Sequence, residues 1–152
     1  MKIYVSSSFH DREYAKFASE VLRGLGHTIT YEWWSAEYNV THGENLSAED
    51  NLKQRQLLAA CEINAVVAAD AVVQIGGGRR GAAAELGACL SHGKQAVLVL
   101  PESEMIHHPA DTSVFWLHPC AKIVKVSYLD NPTLNRVLNF VVHPVLVGMT
   151  QL

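Results

Sequence analysis

Asp70-Ala-Val-Val-Gln-Ile75 is followed by Gly76-Gly-Gly-Arg-Arg-Gly81 and by Ala82-Ala-Ala-Glu-Leu-Gly-Ala-Cys-Leu-Ser-His-Gly93. This stretch carries the strongest fold signal in the chain. The apolar, β-branched run over residues 71–75 predicts a buried strand. Residues 76–81 form a glycine-rich loop, and residues 82–92 have a helical pattern that ends at Gly93, a typical C-terminal cap. Together they predict a strand, a loop and a helix in direct succession.

Glu85 lies in about the first turn of that predicted helix, just past the carboxyl end of the strand. Open α/β sheets bind their ligands at this end, and glycine N–H groups beside it can donate to an anion. An ionised carboxylate here could attack an electrophilic carbon or stabilise an oxocarbenium ion. The alternative is that Glu85 only complements the helix dipole.

Strand and helix patterns alternate along the whole chain. The pattern predicts an α/β fold, a single-domain Rossmann-like or flavodoxin-like three-layer sandwich over residues 1–152 with a mostly parallel five-stranded sheet. Strands are predicted over residues 2–6, 28–31, 71–75, 95–100 and 121–126. Helices are predicted from Tyr14 to Gly24, from the Ser47 cap to residues 64–68, over residues 82–92 and over residues 132–142.

Composition narrows the class of protein. A hydrophobic fraction of 49% argues against disorder, and a net charge of −3 with scattered basic residues gives no nucleic-acid footprint. Cys61, Cys89 and Cys120 show no CxxC spacing and are expected to be thiols in a reducing compartment. The chain opens on a strand, and the apolar segment 137–149 is too short to span a bilayer. These features predict a cytoplasmic protein with no membrane partner.

The loop Gly76-x-Gly78-x-x-Gly81 matches the GxGxxG pattern only formally. It follows the third strand, and the acidic residue expected about 20 positions later is absent, so a dinucleotide fingerprint is not supported. No Gly-Lys-Ser/Thr closes the loop, which excludes a P-loop. Arg79 and Arg80 add positive charge and favour a phosphate-bearing ligand. A tight turn with two solvated arginines is the alternative.

Other polar and aromatic residues are candidates on weaker grounds. Asp70 is expected to bond the backbone at the strand entrance, whereas Glu62 lies in an apolar run and faces either solvent or a site. Trp33 and Trp34 could stack on a planar base or cover the sheet edge. The eight histidines show no metal-ligand spacing, so no metal site is predicted.

Four segments in order carry a family resemblance: Tyr4 in the first strand, Asp70-Ala-Val-Val, Gly81-Ala-Ala-Ala-Glu-Leu-Gly-Ala and His92-Gly-Lys. They resemble the nucleoside 2-deoxyribosyltransferase superfamily, which includes the deoxynucleoside 5′-monophosphate N-glycosidases. The likeness extends from about residue 2 to residue 100, and the remainder matches loosely.

The resemblance implies roles for individual residues. Glu85 takes the position of the nucleophile, and Tyr4 that of the tyrosine that orients it. Glu62 replaces an aspartate that serves as acid/base or sugar-hydroxyl contact, and Arg79 replaces an aspartate or serine, which favours an anionic ligand. Ser7 and Ser8 match the phosphate-binding turn, with His10 near a phosphate-binding arginine. The expected substrate-binding residues are thus Ser7, Ser8, His10, Gly78, Arg79, Gly81 and Trp33.

The implied activity is N-glycosidic bond cleavage or base exchange on a (deoxy)nucleoside or its 5′-monophosphate, through a covalent glycosyl-Glu85 intermediate. It requires no cofactor and no metal. The expected partner is a small-molecule nucleoside or nucleotide, with a homodimer or higher homo-oligomer as the assembly. The apolar segment 137–149 agrees with a dimer, although packing within one chain would explain it equally well.

Two alternatives remain open at this point. The opening Val5-Ser-Ser-Ser-Phe-His-Asp11 and the later glutamate resemble Toll/interleukin-receptor-type domains, some of which cleave NAD at the nicotinamide bond. The second alternative is a non-catalytic nucleotide-binding module. Glu62 in place of the family's aspartate and the Gly-Gly-Gly-Arg-Arg loop are compatible with it.

Overall fold

The computed structural model describes residues 1–35, 47–104 and 113–149. Within these ranges, five parallel strands form one sheet in the order β2-β1-β3-β4-β5. The strands are β1 (Lys2–Ser7), β2 (Thr28–Ile29), β3 (Ala71–Ile75), β4 (Gln95–Pro101) and β5 (Ala121–Val126). The helices are α1 (Arg12–Gly24), α2 (Ala48–Ala68), α3 (Arg80–Ser91), α4 (Asn131–Val137) and α5 (His143–Met149). The predicted α/β class is confirmed, and the strand order is the flavodoxin-like one.

The helices cover the sheet in two layers. α1 packs with α4, and α2 packs with α3. Every residue of β3 is buried, and β1 is buried from Ile3 onward, as expected for parallel strands covered on both faces. The strand order reverses between β1 and β3, so the chain leaves their carboxyl ends in opposite directions. This arrangement opens a crevice there.

The register of β1 and β3 determines which side chains meet above that crevice. Tyr4 pairs with Val72, and Ser6 pairs with Gln74. Because side chains alternate along a strand, Tyr4 and Ser6 point to the same face of the sheet. Both side chains contact α3, which returns across this face after the glycine loop.

Helix α3 begins at Arg80, two residues before the predicted start. The Ala83 N–H already bonds the Arg79 carbonyl at 2.9 Å, so helical hydrogen bonding includes Gly81. Glu85 therefore lies in the second turn, and the expectation of the first turn was wrong. The predicted cap at Gly93 is confirmed by its φ of 67°.

The C-terminal segment is more helical than predicted. The helix expected over residues 132–142 is instead α4, a π-helical turn (Leu138–Val142) and α5. Leu138, Val142 and Leu146 are fully buried in the core. Packing within one chain therefore explains these residues, whereas Phe140, Val141 and Val147 of the same segment remain exposed. The second strand is also shorter than expected, since it ends at Ile29.

Helix α2, unlike the C-terminal segment, contributes little to the core. Its N-cap is Ser47, whose Oγ accepts from the Asp50 N–H at 3.1 Å, as predicted. Of its 21 residues, all described, only Val66 is fully buried. Leu52 and Leu57 are 57% and 66% exposed, which leaves apolar surface open on this helix. Among the described helices, none is both long and apolar enough to cross a membrane.

Candidate active site

Glu85 is 6% exposed and is held by two hydroxyl groups from β1. The Tyr4 hydroxyl donates to Oε1 at 2.6 Å, and the Ser6 hydroxyl donates to Oε2. Hydrogen bonds to a carboxylate are among the stronger ones in proteins. Both carboxylate oxygens are thus oriented by hydroxyl groups of the sheet. A glutamate that only complemented the helix dipole would not need these two hydrogen bonds.

Tyr4 acts as a hydrogen-bond donor in this pair. Burial, together with the negative charge of Glu85 and the hydrogen bond to it, raises the pKa of Tyr4 well above its ordinary value. Deprotonation would place two negative charges side by side in a buried position. The phenol therefore stays protonated across the pH range in which the protein would work.

A cavity of about 480 Å³ opens above Glu85, within the size range of small-molecule sites. β1, α2, the glycine loop and α3 all contribute to its wall. The lining residues are Ser7, Ser8, Phe9, Trp33, Glu62, Arg79, Arg80, Gly81, Ala82 and Glu85. Seven of the ten residues singled out from the sequence thus meet here, although their roles stay predictions.

The two other acidic candidates, Glu62 and Asp70, lie in different places: Glu62 lines the cavity and Asp70 does not. Glu62 is half-buried on α2 and faces the cavity, so it brings a second carboxylate to the site of Glu85. Asp70 lies outside, where its Oδ2 accepts from the Lys2 N–H at 2.7 Å and ties β3 to β1. The predicted structural role of Asp70 at the strand entrance is confirmed.

Trp33 forms a rigid part of the cavity wall. Its Nε1 donates to the Val5 carbonyl at 2.8 Å, and its ring packs edge to face on Trp34 with the centroids 5.8 Å apart. Both rings are buried in the core. The pair thus packs in the core against β1, and both roles considered for it, covering the sheet edge and stacking on a base, stay predictions.

A second cavity of about 260 Å³ adjoins the first. Ser8 and Arg79 line both cavities. The other lining residues of the second cavity are His10, Asp11, Gly78 and Glu104. The Asp11 side chain accepts from the Ser8 hydroxyl at 2.6 Å and makes no cap bond to α1.

The glycine loop between β3 and α3 needs glycine for two reasons. Gly76 and Gly78 have φ values of 74° and 68°, which other residues rarely adopt. A Cβ on Gly78 would also lie 2.5 Å from the Ala82 Cβ, which is too close. One of the loop N–H groups already has a partner within the chain, because the Gly77 N–H donates to the Glu104 carboxylate.

Two hydrogen-bonding residues of the site, Ser6 and Glu104, were not predicted from the sequence. Ser6 was predicted only as the last residue of the first strand, although its position two residues after Tyr4 could have indicated a shared face. Glu104 gave no signal, because it contacts Gly77 across 27 residues of sequence. Contacts at such a separation depend on the packing of the intervening elements.

Comparisons with known proteins show the fold. No protein-family model matches the sequence, and no curated protein matches it significantly. The chain is similar to the solved structure of the Clostridium botulinum CMP N-glycosidase BcmB, at 15% identity and a TM-score of 0.58 over 92% of this chain and 100% of that chain. It is also similar to a 2-deoxyribosyltransferase from Bacillus psychrosaccharolyticus, at 23% identity and a TM-score of 0.59 over 88% and 96%. The resemblance is thus confirmed at the level of the fold.

Proposed function

We propose that this chain is a member of the nucleoside 2-deoxyribosyltransferase superfamily that cleaves or exchanges the N-glycosidic bond of a (deoxy)nucleoside or its 5′-monophosphate. The observation that carries the proposal is Glu85, a buried carboxylate held on both oxygens at the floor of a cavity of about 480 Å³. Two structures with the same fold are an N-glycosidase and a 2-deoxyribosyltransferase, which agrees with this chemistry.

The proposed reaction has two displacements at C1′, each with inversion, so that configuration is retained overall. A Glu85 oxygen attacks C1′ of the sugar while the C1′–N bond breaks, and the base leaves with the bonding electron pair and takes up a proton. The product of this step is a glycosyl ester of Glu85. Water or a second base then attacks C1′, and the carboxylate is released.

The surrounding residues have distinct roles in this proposal. The Tyr4 and Ser6 hydroxyls hold the carboxylate in the orientation for attack, which lowers the entropic part of the barrier. Glu62, across the same cavity, transfers the proton or contacts a sugar hydroxyl. Trp33 bounds the space for the base. Ligand oxygens contact Ser7, Ser8, His10, Gly78, Arg79 and Gly81.

Base release tests the function directly. The protein is incubated with ribo- and deoxyribonucleosides, their 5′-monophosphates and NAD, with and without an acceptor base, and free base is followed by chromatography. We expect release from nucleosides or nucleoside monophosphates. Nicotinamide release from NAD alone would instead indicate the Toll/interleukin-receptor-like activity. Ligand binding with no release from any compound would contradict an enzyme and favour the binding module.

We further propose that the chain forms a homodimer or higher oligomer through α2 and that it is cytoplasmic. The apolar side chains of Leu52 and Leu57 lie exposed on a helix that also carries Glu62 into the site. Light scattering should give a mass of at least twice 16.7 kDa, and Leu57→Lys should lower it. A monomer at micromolar concentration would contradict this assembly.

The proposed cytoplasmic location agrees with the state of the cysteines. Cys61, Cys89 and Cys120 are free thiols, as expected in a reducing compartment.

A further inference from the structure

The carboxylate of Glu104 lies on the glycine loop. It follows β4 in the short 3₁₀ turn Glu102–Glu104, and it accepts the Gly77 N–H. A Cβ on Gly77 would collide with Glu104 Oε2, so the contact depends on glycine at this position. Trp116 closes the same corner, with its ring 3.6 Å from where that Cβ would be.

The Gly77 N–H belongs to the glycine loop, whose next residue, Gly78, lines the second cavity together with Glu104. It precedes the N-terminus of α3, and Arg79 lines both cavities beside it. A carboxylate offers the same acceptor oxygens and negative charge that a phosphate group would offer to such donors. The chain therefore places a carboxylate of its own on a loop N–H beside the second cavity.

We propose that Glu104 is a specificity-determining residue of the candidate site, because its carboxylate competes with the phosphate of an incoming ligand for the Gly77 loop. This inference rests on the proposed function, since it concerns how that site distinguishes a nucleoside 5′-monophosphate from a nucleoside. A neutral nucleoside can occupy the cavity above Glu85 while Glu104 stays on the loop. A monophosphate reaches the loop only when Glu104 moves away.

Competition of this kind has a quantitative consequence. The apparent affinity for the phosphate group equals the intrinsic affinity multiplied by the fraction of molecules in which the loop is open. The second cavity also contains Asp11, but the Ser8 hydroxyl already holds that carboxylate in place. Among the residues described in that cavity, Glu104 is thus the acid whose displacement opens a loop N–H.

The test compares Glu104→Gln with Glu102→Gln. The control removes the same charge from an exposed position of the same turn, so it reports the general effect of net charge. Glu104→Ala is the second variant, because an amide oxygen could still accept the Gly77 N–H. Calorimetry measures the binding of inorganic phosphate, CMP and cytidine to each variant and to the unchanged chain, and thermal melting shows that each variant is folded.

We expect Glu104→Gln and Glu104→Ala to bind phosphate and CMP about tenfold more tightly than the unchanged chain, with cytidine affinity unchanged. The gain should shrink as salt is added. Equal gains in the Glu102→Gln control, equal gains for cytidine and CMP, or no phosphate binding by any variant would each overturn the inference. Failure of the proposed function is seen separately, as an absence of base release from the unchanged chain.

Discussion

Glu85→Gln should lower base release by about 10³-fold or more, with little change in thermal stability. The amide has nearly the shape of the carboxylate, and it can still exchange hydrogen bonds with the Tyr4 and Ser6 hydroxyls. It is a poor nucleophile, so the glycosyl ester cannot form at a useful rate. Initial rates of base release under saturating substrate, measured beside the melting temperature, check both parts of the prediction.

Two further variants make this result specific. Glu20→Gln removes a carboxylate from an exposed position of α1 and should leave the rate unchanged. Glu85→Ala opens space beside C1′, so added azide or formate should restore part of the lost base release if the missing group is a nucleophile. Activity of Glu85→Gln within tenfold of the unchanged chain would show that the nucleophile lies elsewhere.

Tyr4→Phe should lower kcat for base release by about 10- to 100-fold with a smaller effect on KM. The change removes the donor to Glu85 Oε1 and leaves this buried acceptor with one partner fewer. This should lower the free energy of unfolding by about 1–3 kcal/mol. The ionised carboxylate loses a stabilising hydrogen bond. The acidic limb of the pH–rate profile should therefore move to higher pH.

A second tyrosine-to-phenylalanine variant serves as the control for the positioning role of Tyr4. Tyr128 is 60% exposed, so Tyr128→Phe removes a hydroxyl of the same kind without touching the site. It should change neither kcat nor the pH profile. If Tyr4→Phe lowers thermal stability but leaves kcat and the pH profile as they were, Tyr4 is a structural residue and does not position Glu85.

The central strand, loop and helix were predictable because their signals are local. Residues 71–75 were predicted as β3 and observed with the same bounds, since a β-branched run bounded by turn residues has few alternatives. Gly93 ends the helix as expected, because a positive φ there suits glycine. The start of α3 was less certain. A glycine at position 81 is compatible with a loop and with a first helical turn.

Local signals along the chain were enough to infer the alternation of strands and helices, the central unit, and Glu85 as the carboxylate at the carboxyl end of β3. Three contacts became visible only in the folded chain: Ser6 shares Glu85 with Tyr4, Glu62 faces the cavity, and Glu104 accepts the Gly77 N–H. The physical reason is the range of the interactions. Capping, turn and periodicity preferences act over a few residues, whereas these contacts join side chains from separate elements and exist only once strand order and helix packing bring them together.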